Sequence, residues 1–213
     1  MKLSEPDVEL FFKLMWSLQN YVNLKLAIIP DIRTVDEYGQ LSPSEKLDVR
    51  DALYDHIELI GSYVEENPQD LSPEELDIVK GWKNFQRRDY FIERFLKHYA
   101  IFISKGEVYA VSALYESFEG LLPYVRLPYY AKAVLLPFKD KIVYDGMLQG
   151  YNMSFGGGVR ANLKETYMAA KQNGLIIEQL EPHEQSKKAE REKKPVKDWG
   201  PVLEEISRQG EGR

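Results

Sequence analysis

The clearest ligand chemistry in this sequence lies in a run of three glycines, Gly156, Gly157 and Gly158. Consecutive glycines let successive backbone amides turn toward one point, and a helix that begins there adds partial positive charge. Arg160 can grip an anion through two hydrogen bonds, and Lys164 lies one helical turn further on. We therefore predict a candidate anion site for phosphate, sulfate or a carboxylate.

Two features of the same segment favour an ordinary linker instead. Asn162 and Glu165 are spaced as a capping pair for a helix that begins near Leu163, and they would satisfy the same amides without a ligand. The glycine run also lacks the lysine and hydroxyl pattern of a P-loop. Both interpretations stay open at this stage.

Other reactive residues form no known catalytic pattern. His56, His98 and His183 lie in three different parts of the chain, and the sequence contains no HExxH, GxSxG or GxGxxG motif. A metal-free hydrolase built from carboxylates is not excluded. We assign no catalytic residue, no metal ligand and no cofactor, and we expect a protein that is not an enzyme.

Four carboxylates recur on one face of a predicted helix, at Asp48, Asp51, Asp55 and Glu58. Such a face could hold a divalent cation or a basic partner. It is also typical of the solvated side of an amphipathic helix, which is the interpretation we favour.

Tyrosine is the most distinctive residue type, because eight of the 14 tyrosines lie between His98 and Phe155. Tyrosine packs well on half-buried sheet faces and is also enriched at binding surfaces. Adjacent residues of a strand face opposite sides, so Tyr129 and Tyr130 cannot both point into one core. We predict an interaction surface that includes Tyr129, Tyr130, Tyr151 and Trp199.

The elements that position these residues define an α+β fold. Residues 1–89 read as three helices, two of which begin with the repeated signals Ser42-Pro43-Ser44-Glu45 and Ser72-Pro73-Glu74-Glu75. Residues 90–180 read as a mostly antiparallel, aromatic-rich sheet of about four to six strands, closed by one C-terminal helix that ends at Gly174. The expected hairpin loops are at Lys105-Gly106-Glu107 and Lys139-Asp140-Lys141, and short strands are expected at 153–155 and 175–177.

One stretch carries a family resemblance. The run from Ala133 to Gly146, AVLLPFKDKIVYDG, resembles a segment of uncharacterised bacterial proteins, some of which end in a SEC-C type zinc motif. The likeness extends over about Trp82 to Leu180. This chain has no cysteine and so cannot carry that motif, and the resemblance implies no site residue.

Composition limits the remaining possibilities. The absence of cysteine excludes a disulfide scaffold and a cysteine nucleophile. Residues 1–100 have a net charge of −7 and no part of the chain is strongly basic, so we expect no nucleic-acid partner. No segment reads as a signal peptide or a membrane span, and we expect a cytoplasmic protein.

Residues 181–213 differ from the rest of the chain. They form a mixed-charge stretch, and we predict a flexible tail behind a single domain of residues 1–180. Trp199, Val202, Leu203 and Ile206 are unusual in such a tail, and could dock on the domain or on another chain. The sequence as a whole favours a protein-interaction module or homo-oligomer that binds through the tyrosine-rich sheet or the tail. The alternative is a small-molecule or nucleotide-handling protein that uses the glycine loop.

Overall fold

The computed structural model describes residues 2–180, so the predicted tail lies outside the described residues. The helices are α1 (Glu5–Leu26), α2 (Val35–Gln40), α3 (Leu47–Asp55), α4 (Glu58–Glu66), α5 (Pro73–Gly81), α6 (Phe118–Leu121) and α7 (Gly157–Gln172), with a 3-10 turn at Trp82–Asn84. The strands are β1 (Gln86–Phe95), β2 (Ala100–Ser104), β3 (Glu107–Ser112), β4 (Tyr129–Phe138), β5 (Lys141–Gly150) and β6 (Ile176–Ile177). No helix in this part of the chain combines the length and the apolar character that crossing a membrane requires.

The predicted α+β class is confirmed, and the sheet closes on itself. β1 pairs antiparallel with β2 and with β4, and β4 pairs antiparallel with β5. β3 completes the ring because it pairs antiparallel with β2 and parallel with β5. The short β6 lies parallel to β3 on the same edge as β5. The result is a five-stranded Greek-key barrel with one added strand.

Aromatic rings fill the barrel. Tyr90 lies 5.8 Å from Phe102 and 5.8 Å from Tyr109, measured between ring centroids. Phe118, from α6 in the connection between β3 and β4, lies 5.4 Å from Phe102 and 5.3 Å from Tyr144. All five rings are buried. The aromatic density that we noticed in the sequence is therefore mainly barrel packing.

Helices cover two outer faces of the barrel. On one side Phe11 of α1 contacts Phe138 of β4 and Trp82, at centroid distances of 5.5 and 5.6 Å. On the other side α7 covers β1, β2 and β3 and closes a second hydrophobic cluster, whose buried members are Phe91, Ile101, Ile103, Val108, Tyr130, Phe155, Leu163, Tyr167 and Ala170. The outer face of β2 and β3 is thus occupied by α7.

A buried ion pair joins the helical layer to the barrel. Arg50 of α3 donates from Nε to Asp145 of β5 at 2.6 Å, and both side chains are fully buried. Arg50 also reaches Asp51 at 3.2 Å, and Arg87 binds Asp51 and Asp55 at 3.1 and 2.8 Å. Two of the four carboxylates that we expected to face solvent are therefore held by arginines.

Several local predictions are confirmed. Ser72 accepts from the amide of Glu75 at 3.3 Å and the Glu75 carboxylate accepts from the amide of Ser72 at 3.0 Å, so α5 begins where expected. The β2–β3 hairpin turns through Lys105 and Gly106, whose φ angles of 50° and 78° are typical of a tight turn that matches the strand twist. Gly174 follows α7 with a φ of 64°.

Other boundaries were wrong. The reciprocal hydrogen bonds between Ser42 and Glu45 form, yet the helix begins only at Leu47. The long second helix is two helices, because the chain turns at His56. The helix expected near Leu163 begins six residues earlier, and residues 153–155 form no strand. Five helices therefore replace the expected three in the N-terminal half.

Candidate functional site

A groove lies between α1 and α2, in a region where sequence reasoning placed no site. It has a volume of about 550 Å³. Val8, Phe12 and Trp16 line it at four-residue intervals along α1, and we call these three residues its floor. The other lining residues are Glu9, Lys13, Ser17, Val35, Asp36, Gly39, Gln40, Gln69, Leu71 and the exposed Tyr115. Phe12 and Trp16 are only half-buried, so their rings remain available in the groove.

The short helix α2 is held against α1 by specific contacts. Thr34 and Glu37 form a capping box at its start, where the amides of Arg33 and Thr34 donate to the Glu37 carboxylate and lower its pKa. Tyr38 is fully buried, its hydroxyl donates to Gln19 of α1 at 3.2 Å, and burial raises its pKa. These contacts fix α2 although six residues make a weak helix alone.

A lysine closes the other end of α2 and supports the groove floor. The Nζ atom of Lys46 donates to the carbonyls of Gly39 and Leu41 at 3.0 and 2.8 Å. It also lies 4.7 Å from the centroid of the Trp16 ring, a cation–π contact. Lys46 is buried, which lowers its pKa. The groove wall and the groove floor are thus tied together by one side chain.

Glycine at position 39 permits the close approach of helix and ring. A Cβ atom at this position would lie 3.1 Å from Cε3 of Trp16, which is tighter than ordinary van der Waals contact. The ring therefore packs directly on the α2 backbone. At the opposite wall, the side chain of Asn67 holds both the amide and the carbonyl of Leu71, at 2.9 and 3.0 Å.

Charged groups lie at the rim of the groove rather than in its floor. Glu9 and Asp36 are exposed, and Lys13 pairs with Glu75 at 2.6 Å. The groove thus has an apolar, aromatic floor and an acidic rim, the distribution that interfaces between proteins commonly show. Sequence reasoning missed it because nothing in the sequence distinguishes the half-buried Phe12 and Trp16 from the buried apolar residues of α1.

The glycine segment forms the N-terminus of α7. Gly156 is the cap residue and has no side-chain capping hydrogen bond, so the predicted capping by Asn162 and Glu165 was wrong. Asn162 lies inside the helix, where its carbonyl accepts from Thr166 at 2.9 Å. The three glycines, Arg160 and Lys164 are all exposed, and no atom lies within 4 Å of a Cβ atom built on Gly156, Gly157 or Gly158. The glycines therefore border open solvent, and anion binding at this position stays a prediction.

The predicted tyrosine surface is largely packed. Tyr130 is buried, with ring centroids 4.6 Å from Phe91 and 5.0 Å from Tyr151, so it cannot contact a partner directly. Tyr151 donates to Asp89 at 2.8 Å, and burial with this hydrogen bond raises its pKa to about 12. The half-buried Tyr129 lies over Gly150, where a Cβ atom would meet its hydroxyl oxygen at 1.4 Å. Trp199 lies outside the described residues.

Within residues 2–180, no three histidine or carboxylate side chains converge as a metal site would require. The run that carries the family resemblance, from Ala133 to Gly146, forms much of the β4–β5 hairpin. No protein-family model matches the chain, and its comparison with curated proteins and with solved structures gives no match. The geometry of the groove is therefore the basis for a functional hypothesis.

Proposed function

We propose that this chain is a protein-interaction module that binds an apolar helical segment of a partner protein in the groove between α1 and α2. The observation that carries the proposal is the half-buried pair Phe12 and Trp16 in a groove of about 550 Å³. An amphipathic helix that presents apolar residues at positions i, i+3, i+4 and i+7 is the usual occupant of such a groove.

The distribution of polar groups supports a protein partner over a small molecule. Small-molecule sites bring a few polar groups together inside a concave pocket. Here the charged side chains of Glu9 and Asp36 lie at the exposed rim. An acidic rim favours a helix that has basic residues beside its apolar stripe, because opposite charges steer association.

The runner-up, a ligand-handling protein with its site at the glycine loop, has less support. That interpretation would be favoured by a compact pocket with converging polar groups beside Gly156–Arg160. The three glycines instead border open space, and Arg160 and Lys164 are exposed. A phosphate titration followed by NMR, in wild type and Arg160→Ala, tests it separately.

The test of the proposed function uses a defined probe. The probe peptide is a fluorescein-labelled, lysine-rich peptide about three helical turns long, with leucine or tryptophan at i, i+3, i+4 and i+7. We expect Phe12→Ala to weaken its binding to the full chain by about tenfold, since truncating an aromatic anchor costs more than about 1 kcal/mol. Asp36→Lys should weaken it by a smaller factor, because the rim loses an attractive charge.

The matched control is Met168→Ala, which removes a similar apolar side chain that is exposed on α7. It should leave the affinity unchanged. A scrambled peptide of the same composition should bind less tightly than the probe peptide. Equal affinities for wild type, Phe12→Ala and Asp36→Lys would refute the proposal, and the Asp36→Lys result remains informative if Phe12→Ala unfolds the protein.

A further inference from the structure

We infer that the C-terminal segment Trp199–Ile206 occupies the α1–α2 groove of its own molecule and competes there with a partner protein. This inference rests on the proposed function, because it names an occupant of the same groove. It makes the tail an internal competitor that a partner has to displace.

The segment has the spacing that a groove-binding helix needs. Its apolar residues lie at i, i+3, i+4 and i+7, as Trp199, Val202, Leu203 and Ile206. In a helix that begins at Trp199, Pro201 would fall in the first turn, where an amide hydrogen has no partner within the helix. Trp199–Ile206 has eight residues, and the stretch of α1 from Val8 to Trp16 has nine.

The described part of the chain ends close to the groove. Leu180 packs against the main hydrophobic core, and Nε2 of Gln179 lies 3.5 Å from the carbonyl oxygen of Asp140. The neighbouring Lys139 forms an ion pair with Asp7. Asp7 lies in the first turn of α1, immediately before the groove begins. The tail therefore departs from the same end of α1 at which the groove starts.

The connecting segment is long enough to reach the groove, and it keeps Trp199–Ile206 at a high local concentration. Residues 181–198 could span up to about 60 Å if extended. A tether of this kind gives an effective concentration on the order of 1 mM. A contact with a dissociation constant of about 0.1 mM would therefore be occupied in roughly nine molecules out of ten.

Charge acts on the connection and on the segment in opposite directions. Residues 181–198 contain six basic and five acidic side chains, and the six basic ones all lie within residues 187–197. The groove rim carries the exposed carboxylates of Glu9 and Asp36, and residues 1–100 have a net charge of −7. Basic side chains of the connection are attracted to the acidic rim, and more so at low ionic strength. Glu204 and Glu205 of the segment itself are repelled by that rim. The segment is therefore a weaker occupant than a basic partner helix, which can displace it.

The test uses the full chain and exploits its lack of cysteine. A nitroxide on Ser207→Cys should remove most of the NMR amide intensity of Val35 and Gly39, relative to the same sample after reduction of the label. Adding Val202→Asp and Ile206→Asp should restore both signals, because the apolar contacts are lost. The same double variant should bind the probe peptide about tenfold more tightly than wild type, since the competing segment has been released.

A mixing experiment distinguishes binding of the segment to its own molecule (cis occupation) from binding to a second copy (trans occupation). A spin-labelled chain without isotopes is mixed with an isotope-labelled chain without a nitroxide, and cis occupation predicts no loss of intensity in the mixture. Three results would overturn the inference. The amide intensity could be unchanged in a chain that carries both the nitroxide and the isotopes, or it could fall only in the mixture. It could also stay low when Val202→Asp and Ile206→Asp are added. If the double variant binds the probe peptide no more tightly than wild type while both bind it, the inference fails and the proposed function stands. If neither binds the probe, the proposed function itself has failed.

Discussion

The barrel and the α1–α2 groove are both rich in aromatic residues, but they enclose their rings differently. In the hydrophobic cluster between α7 and the barrel, Tyr130 is buried and packs against the rings of Phe91, Tyr151 and Phe155. In the groove, the ring centroids of Phe12 and Trp16 lie 5.2 Å apart, and both side chains remain half-buried. The two regions thus differ in how far their rings are covered, and the number of aromatic residues does not show that difference.

The largest difference in stability is expected between two single truncations. Tyr130→Ala should lower the free energy of unfolding by about 3–5 kcal/mol, because it opens a cavity that α7 cannot fill. Phe12→Ala should cost only about 1–2 kcal/mol, because water already reaches that ring. Urea denaturation of the two full-length variants measures both. A larger loss for Phe12→Ala would mean that the groove floor is core.

A second prediction concerns the ion pair that joins the barrel to the helical layer. Arg50→Met should cost about 3–5 kcal/mol, because Asp145 would keep a buried charge without its partner. The double variant Arg50→Met, Asp145→Leu should recover most of that loss, since replacing both charges by apolar groups is often nearly neutral. Failure of the double variant to recover would show that other contacts dominate at this junction.

A third prediction tests whether Tyr129 is packed or available to a partner. Gly150→Ala places a methyl group where the Tyr129 hydroxyl lies, and should cost about 1–3 kcal/mol. In a Tyr129→Ala background the same glycine substitution should cost far less, because the space is vacant. Additive effects of the two substitutions in thermal denaturation would indicate that Tyr129 does not rest on Gly150.

The smallest expected effect concerns a helix cap. Ser72→Ala should cost about 1 kcal/mol, because the first turn of α5 loses the acceptor for the Glu75 amide. Ser154→Ala should cost less than about 0.5 kcal/mol, since this exposed serine lies outside every helix and strand. Equal shifts in thermal midpoint for the two variants would contradict the role of Ser72.

Local chemistry explains which parts of the fold could be predicted from the sequence. The capping box at Ser72 and the Lys105-Gly106 hairpin depend on neighbouring residues, and both were predicted correctly. The pairing of β3 with β5 and the contact of Arg50 with Asp145, 95 residues apart, depend on tertiary structure and leave no local pattern. The start of α7 was misplaced because Asn162 and Glu165 form a good capping pattern that a longer helix overrides.

The candidate site was harder to predict than the fold. A helical stripe such as Val8, Phe12 and Trp16 looks the same in sequence whether another element covers it or not. The decisive fact is that α2 is only six residues long and stops at Gln40, which leaves part of the stripe open. The predicted surface residues are instead packed: Tyr129 lies over Gly150, Tyr151 donates to Asp89, and Tyr130 is buried against Phe91.

We expect the groove, rather than the tyrosine-rich sheet or the glycine segment, to bind a protein partner. The most direct test is an NMR titration of the probe peptide into the full-length Val202→Asp, Ile206→Asp variant, with backbone amides assigned. We expect the shifted amides to cluster in residues 8–16 and 35–40. Shifts that cluster instead at Tyr129 and Tyr151, or at Gly156–Arg160, would contradict the account.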